Sequence, residues 1–167
     1  MICAAICAKL PEIYLRIGIN SGVAVIGNLG SEERFDYAAI GDCVNLAARL
    51  EGVNKLYSTE VLISKETVSR LTDRSRLRFV DRIVVKGKTE PIDVCTVKSD
   101  QQIIDWSRAG FDAYVQQQWA ESIGYWRKIL EVRPDDGVVE VLLKRVARLE
   151  TEPPGIAWNA ATSLEKM

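Results

Sequence analysis

The chain has 167 residues, a hydrophobic content of 47%, a charged content of 27% and a formal net charge of -1. These values suit a globular protein of one domain plus an appendage, or of two small domains. The charge balance gives no pull toward nucleic acid or anionic membranes, and no apolar run is long enough to span a bilayer. Histidine is absent, which removes the commonest general base, any Ser-His-Asp or Cys-His arrangement and most zinc sites.

The opening "MICAAICAKL" is apolar but carries no basic n-region, so it reads as the end of a helix rather than as a signal peptide. The cysteines Cys3, Cys7, Cys43 and Cys95 form no C-x-x-C pair and sit among apolar residues. They read as reduced core cysteines of a cytosolic protein. "LRIGINSG" and "VAVIGNLG" are two β-rich runs joined at Ser21-Gly22, a hairpin or a closely coupled strand pair. "SEERFDY" reads as a polar, mobile connection. Asp42 is placed as the N-cap of a helix through "CVNLAARLE", with Gly52 as its stop. "EVLIS" is a short strand, and Ser64 caps a second helix, "KETVSRL". "LRFVDRIVVKGKTEPIDVCTV" alternates as two strands around a Gly-Lys turn.

From Asp100 onward the pattern is helical. "RPDDG" interrupts it, with Asp135 or Asp136 capping a further helix. Trp106, Gly110, Trp126 and Pro134 follow the spacing of a tetratricopeptide unit. One unit makes no solenoid, so the stretch reads as a helical appendage packed on the first domain. "EPPGIAW" begins a Pro-containing, poorly ordered tail. The expected organisation is a domain over 1–98, an appendage over 100–150 and a tail over 151–167.

Asn45 and Arg49 stand four residues apart on a helix that is otherwise apolar, so they share one stripe of its surface. A buried Arg requires a partner. A structural ion pair or a solvated edge satisfies that need. So does an anion or ligand site at a domain or subunit interface, because the planar guanidinium fork suits phosphate. Gly18, Gly22, Gly27 and Gly30 match neither a Walker A loop nor a dinucleotide fingerprint, and read as turns and close strand packing. "GKT" at 87–89 lacks the earlier glycine of a Walker A loop, since Arg82 stands there. Lys86, placed on the strand before Gly87, reads as a solvated surface lysine that could still aim its charge at a phosphate. Trp106, Trp119 and Trp126 read as inter-helix packing.

The elements "RIGINSG", "VIGNLG", "IGDCVNLAARLEG" and "VKGKTEP", in that order between about Leu15 and Val97, resemble the C-terminal half of a class III nucleotidyl (adenylate/guanylate) cyclase catalytic domain. The stretch from Phe111 to Lys166, with "PDDG" and "PP", resembles the helical extension behind some bacterial cyclase domains. The resemblance implies an α+β fold: a partial ferredoxin-like cyclase domain followed by a small helical appendage. It implies a head-to-tail homodimer or heterodimer with ATP bound between subunits.

By that resemblance, Asn45 orients the ribose, Arg49 stabilises charge at the α-phosphate and Lys86 binds the outer phosphates. Ala38 occupies the base-reading position, where adenylate cyclases usually carry Thr or Asp. Two Mg or Mn ions are expected in a complete site, but no carboxylate pair in this chain matches the aspartates that hold them. Those would come from a second cyclase subunit or from the N-terminal half of the domain. The expectation is therefore a cytoplasmic adenylate cyclase fragment, inactive alone, whose full-length relatives can be membrane-anchored through an upstream region. The alternative is a catalytically inactive truncated cyclase acting as an interaction or regulatory module.

Overall fold

The computed structural model describes residues 13–31, 34–98, 100–155 and 158–164. The call on "MICAAICAKL", with Cys3 and Cys7, lies outside them. The chain runs β1 (Ile17–Ile19), β2 (Val25–Ser31), β3 (Arg34–Ile40), α1 (Asp42–Tyr57), β4 (Val61–Ser64), α2 (Lys65–Ser69), β5 (Leu77–Val84), β6 (Ile92–Val97), α3 (Gln101–Val115), α4 (Trp119–Val132), α5 (Gly137–Thr151) and β7 (Thr162–Ser163). The fold is α+β. A five-stranded sheet has the order β1-β4-β6-β5-β7, and β2 and β3 form a separate hairpin. No described helix is long and apolar enough to cross a membrane.

The expected pairing of the first two strands is corrected. β1 pairs with β4 in parallel, Ile17 opposite Val61, with α1 in the crossover between them. β2 pairs instead with β3, Val25 opposite Ile40 and Ser31 opposite Arg34. The stretch read as a mobile connection is thus largely strand. Its "RFDY" alternates polar and apolar residues, which is the strand period. After β1 the chain is steered aside by Asn20. Its Nδ2 donates to the carbonyl of Cys43 at 3.0 Å, and its Oδ1 accepts from Ser64 Oγ at 2.6 Å.

Helix α1 is also longer than expected. Gly41, not Asp42, is the N-cap, and the helix runs through Gly52 to Tyr57. Leu46, Leu50 and Tyr57 are buried on one stripe, against strands that reward a full four turns. Gly52 is exposed, and a Cβ there would touch nothing within 4 Å, so no clash or special conformation stops the helix. Ser58, in the left-handed conformation at φ 51°, ends it. Buried Asn54 ties this end to β1, donating to the carbonyl of Ile17 at 3.0 Å and accepting from Thr59 Oγ1 at 2.8 Å.

Other elements form as expected. Ser64 Oγ accepts from the Thr67 amide and caps α2. β5 and β6 pair antiparallel with an irregularity between Phe79 and Asp81. Asp136 caps α5 by accepting from the Val139 amide at 3.1 Å. The glycine reading holds at Gly18 and Gly22. A Cβ on Gly18 would lie 2.0 Å from the Ala47 carbonyl oxygen, and one on Gly22 would lie 2.6 Å from Cys43 Cβ. Cys43 and Cys95 are free and half-buried, and burial pushes the Cys95 thiol up to about 11.

Of the three C-terminal helices, α3 and α5 are fastened to β5 through buried polar and charged side chains. Arg78 forms a fork onto Asp136, at 2.6 and 2.9 Å, and donates to Ser107 Oγ at 2.7 Å. Asp81 is fully buried and accepts from Arg145 at 2.7 and 3.0 Å and from the Tyr57 hydroxyl at 2.5 Å. Burial and the Asp81 carboxylate hold the Tyr57 phenol well above its ordinary range. One hydrophobic cluster runs from Leu46 through Val80, Tyr114, Trp126 and Val139 to Leu164.

The expected disordered tail is corrected at residues 158–164. The Trp158 ring sits 4.9 Å from Tyr114 and 5.6 Å from Trp119 in edge-on contacts. Ala160 is fully buried, and β7 pairs in parallel with β5. So short a strand carries no periodic signal of its own; the open edge of β5 supplies the template.

Candidate active-site groove

Helix α1 carries Asn45 and Arg49, and the loop after β5 carries Lys86. The structure corrects one detail: Lys86 lies in the turn and not on the strand. The Lys88 amide donates to the Val85 carbonyl at 3.0 Å and closes that turn, with Gly87 at φ 73°. Glycine adopts this left-handed backbone without penalty. The position a Cβ would take on Gly87 is 3.5 Å from the nearer Arg49 terminal nitrogen, so the guanidinium faces the turn directly. An ion pair between Lys88 Nζ and Asp42 fastens the turn to the start of α1.

Arg49 and Lys86 thereby line one cavity of about 740 Å³, floored by Val53, Leu56, Val85 and Leu164. Lys55 lines it as well, and among the described residues no Asp or Glu does. Arg49 is half-buried and has no hydrogen bond or ion pair among the described residues. Among the described residues it therefore makes no structural ion pair of the kind its spacing allowed. Three cations over an apolar floor form a receptacle for an anion with an apolar body. Lys55 escaped the sequence reading. Its signal was the three-residue spacing of Arg49, Gly52 and Lys55 along one helix.

Asn45 lies one turn before Arg49, exposed, and does not line this cavity. Ala38 is half-buried on β3 opposite Gly27, also outside the cavity. The structure therefore brings Arg49 and Lys86 together and leaves Asn45 and Ala38 outside. Among the described residues no group of three or more His, Cys, Asp or Glu could hold a metal ion.

Residues 2–98 match the family described as the adenylate and guanylate cyclase catalytic domain. A terminal-differentiation-specific adenylate cyclase of Dictyostelium discoideum is 32% identical over 149 residues, covering 82% of this chain and 7% of that protein. That coverage exceeds the 2–98 region, so it takes in part of the helical residues. Adenylate cyclase 1 of Rhizobium meliloti is 40% identical over 101 residues, covering 60% of this chain and 15% of that protein. The chain thus spans a small part of the curated relatives it matches. Among solved structures, the adenylyl cyclase CyaB from P. aeruginosa is 34% identical with a TM-score of 0.48, covering 59% of this chain and 50% of that one.

Proposed function

The chain belongs to the adenylate and guanylate cyclase catalytic domain family, and from that premise we propose that it supplies the transition-state side of a composite site forming cyclic AMP and pyrophosphate from ATP. The observation that supports this most is Arg49: half-buried, lacking a carboxylate partner among the described residues, and facing the Lys86 turn across an anion-receptive groove.

In this reading the ribose 3′-hydroxyl gives up its proton to solvent and its oxygen attacks the α-phosphorus in line. The new O–P bond forms as the bond to the β-phosphate oxygen breaks, and pyrophosphate leaves. Negative charge grows on the α-phosphoryl oxygens in the transition state. A fixed guanidinium that meets this growing charge raises rate more than ground-state affinity. Lys86 holds the outer phosphates, Asn45 orients the ribose, and Ala38 stands where the base is read. Asn45 and Ala38 would be drawn to the nucleotide by assembly with the second subunit.

The described residues do not fit the two Mg or Mn ions expected of a complete site. The reading therefore assigns their ligands to a partner cyclase subunit or to cyclase sequence beyond this chain, and the chain alone is proposed to lack activity. It places the complete protein in the cytoplasm, as a homodimer or heterodimer.

The test mixes this chain with a partner cyclase chain that keeps its metal-binding aspartates but lacks its own transition-state Asn and Arg. The mixture is expected to make cyclic AMP where neither chain does alone. Arg49→Ala in this chain is expected to lower turnover by roughly two to three orders of magnitude. An unchanged rate would show that Arg49 is structural. No activity in any mixture, with the two chains shown to associate, would favour the rival reading of an inactive interaction module.

A further inference from the structure

The groove is bounded on one side by a residue that belongs to neither the cyclase motifs nor the helical hairpin. After α5 ends at Thr151, the chain returns to the sheet. Trp158 lodges against Tyr114 and Trp119. Arg82 donates to the Asn159 carbonyl at 3.3 Å. β7 then pairs with β5, Ile83 opposite Thr162 and Val84 opposite Ser163. The Leu164 amide donates to the Val84 carbonyl at 2.9 Å, and its side chain, 7% exposed, joins the core and lines the cavity that Arg49 and Lys86 share.

Val84 is the last residue of β5, and the turn that carries Lys86 begins at the next position. That turn is tied to α1 by Lys88 and Asp42, an ion pair whose Asp42 side chain is largely exposed. An exposed pair fixes geometry weakly. At the turn's other end the buried anchors are Val85 itself, 2% exposed, and Leu164 beside it after β7.

Resting on the reading above, we propose that Leu164 is a positioning residue for the groove: it seats β7 on the edge of β5 and so holds the 85–88 turn, and with it Lys86, opposite Arg49. The aromatic cluster of α3 and α4 is thereby connected to the phosphate-facing turn through Trp158. Lys86 acts in this reading on the outer phosphates, which are present both before and during reaction. Loosening the turn therefore weakens ATP binding more than it slows turnover.

Two measurements test this. The first is amide hydrogen exchange on the full chain alone, comparing the parent with Leu164→Ala and Leu164→Met. Leu164→Ala is expected to speed exchange of the Lys88 amide by about tenfold, as local opening becomes easier. Amides within α3 and α4 should not change, and Leu164→Met should stay near the parent. The second is ATP kinetics in the mixed complex. Leu164→Ala should raise KM severalfold with kcat within about twofold, and should add nothing further in a Lys86→Ala background. If Leu164→Ala loses its cooperative melt, Leu164→Val takes its place in both measurements.

Unchanged exchange at Lys88 overturns the proposal whether or not any complex is active. So does a fall in kcat at constant KM, or an effect that adds fully to that of Lys86→Ala. A mixed complex that is inactive with the parent chain sinks the cyclase reading instead, and the exchange result still judges the role of Leu164.

Discussion

A guanidinium held partly out of water needs an anion, and this chain shows both answers to that need. Arg78 and Arg145 find theirs inside the fold, in Asp136 and Asp81. Arg49 finds none among the described residues and faces a groove lined by two lysines. On the reading proposed above, the difference separates an arginine that organises the core from one that meets a ligand. Ala38 poses the opposite case, a small side chain where a hydrogen-bonding one is expected. It is half-buried, and its cross-strand neighbour is Gly27, where an added Cβ would meet nothing within 4 Å. The hairpin therefore has room for a larger residue. In an active complex, Ala38→Thr is expected to raise the ATP/GTP ratio of kcat/KM by the worth of one hydrogen bond, about 0.5–1.5 kcal/mol. Kinetics on both nucleotides with both variants check this. An identical ratio at normal activity would remove Ala38 from the base site.

At the scale of elements, what the sequence disclosed follows from how local the signal was. The β5–β6 hairpin, the Ser64 cap and the Asp136 cap each rest on a few adjacent residues, and each appears in the structure. The pairing of β1 with β4 does not, because its partner lies beyond a sixteen-residue helix. The length of α1 was hidden by Gly52, a weak breaker when the turns beyond it bury Tyr57. In the groove, Arg49 and Lys86 were legible as residue types. Their meeting was not, since it depends on the Gly87 turn folding against α1.

The helical spacing of Gly110 and Trp126 was legible too, and the contact behind it sets a test. A Cβ on Gly110 would lie 2.4 Å from Trp126 Nε1, and the Trp126 ring is fully buried against Tyr114. The ring has nowhere to go. Gly110→Ala gains up to about 1 kcal/mol of helix propensity but meets an overpacking cost of about 1–3 kcal/mol. Net destabilisation is expected in a denaturant melt. Gly124→Ala, whose Cβ meets nothing within 4 Å, should be neutral or stabilising. Equal stability of the two variants would contradict this account of the helix hairpin.

Across the whole molecule, apolar surface is unevenly distributed. The sheet and the C-terminal helices share one closed core, while the β2–β3 hairpin stands apart from the five-stranded sheet. Cross-strand register puts Ile26 and Tyr37 on one face of that hairpin and Val25 and Ile40 on the other. All four are exposed, from 55% for Ile40 to 77% for Tyr37. A hairpin apolar on both faces has no solvent side, and two strands alone are marginal in water. Among the described residues β1 is an unpaired sheet edge, with Ile17 and Ile19 half exposed beside it. Such surface favours being covered, by a partner or by copies of the chain. The purified chain is therefore expected to self-associate as concentration rises, measured by sedimentation. Ile26→Lys combined with Val25→Lys places a charge on each face and should shift the population toward monomer without lowering the melting temperature of the core. A parent chain that stays monomeric at every concentration, with a single cooperative melt, would mean that the hairpin needs no cover.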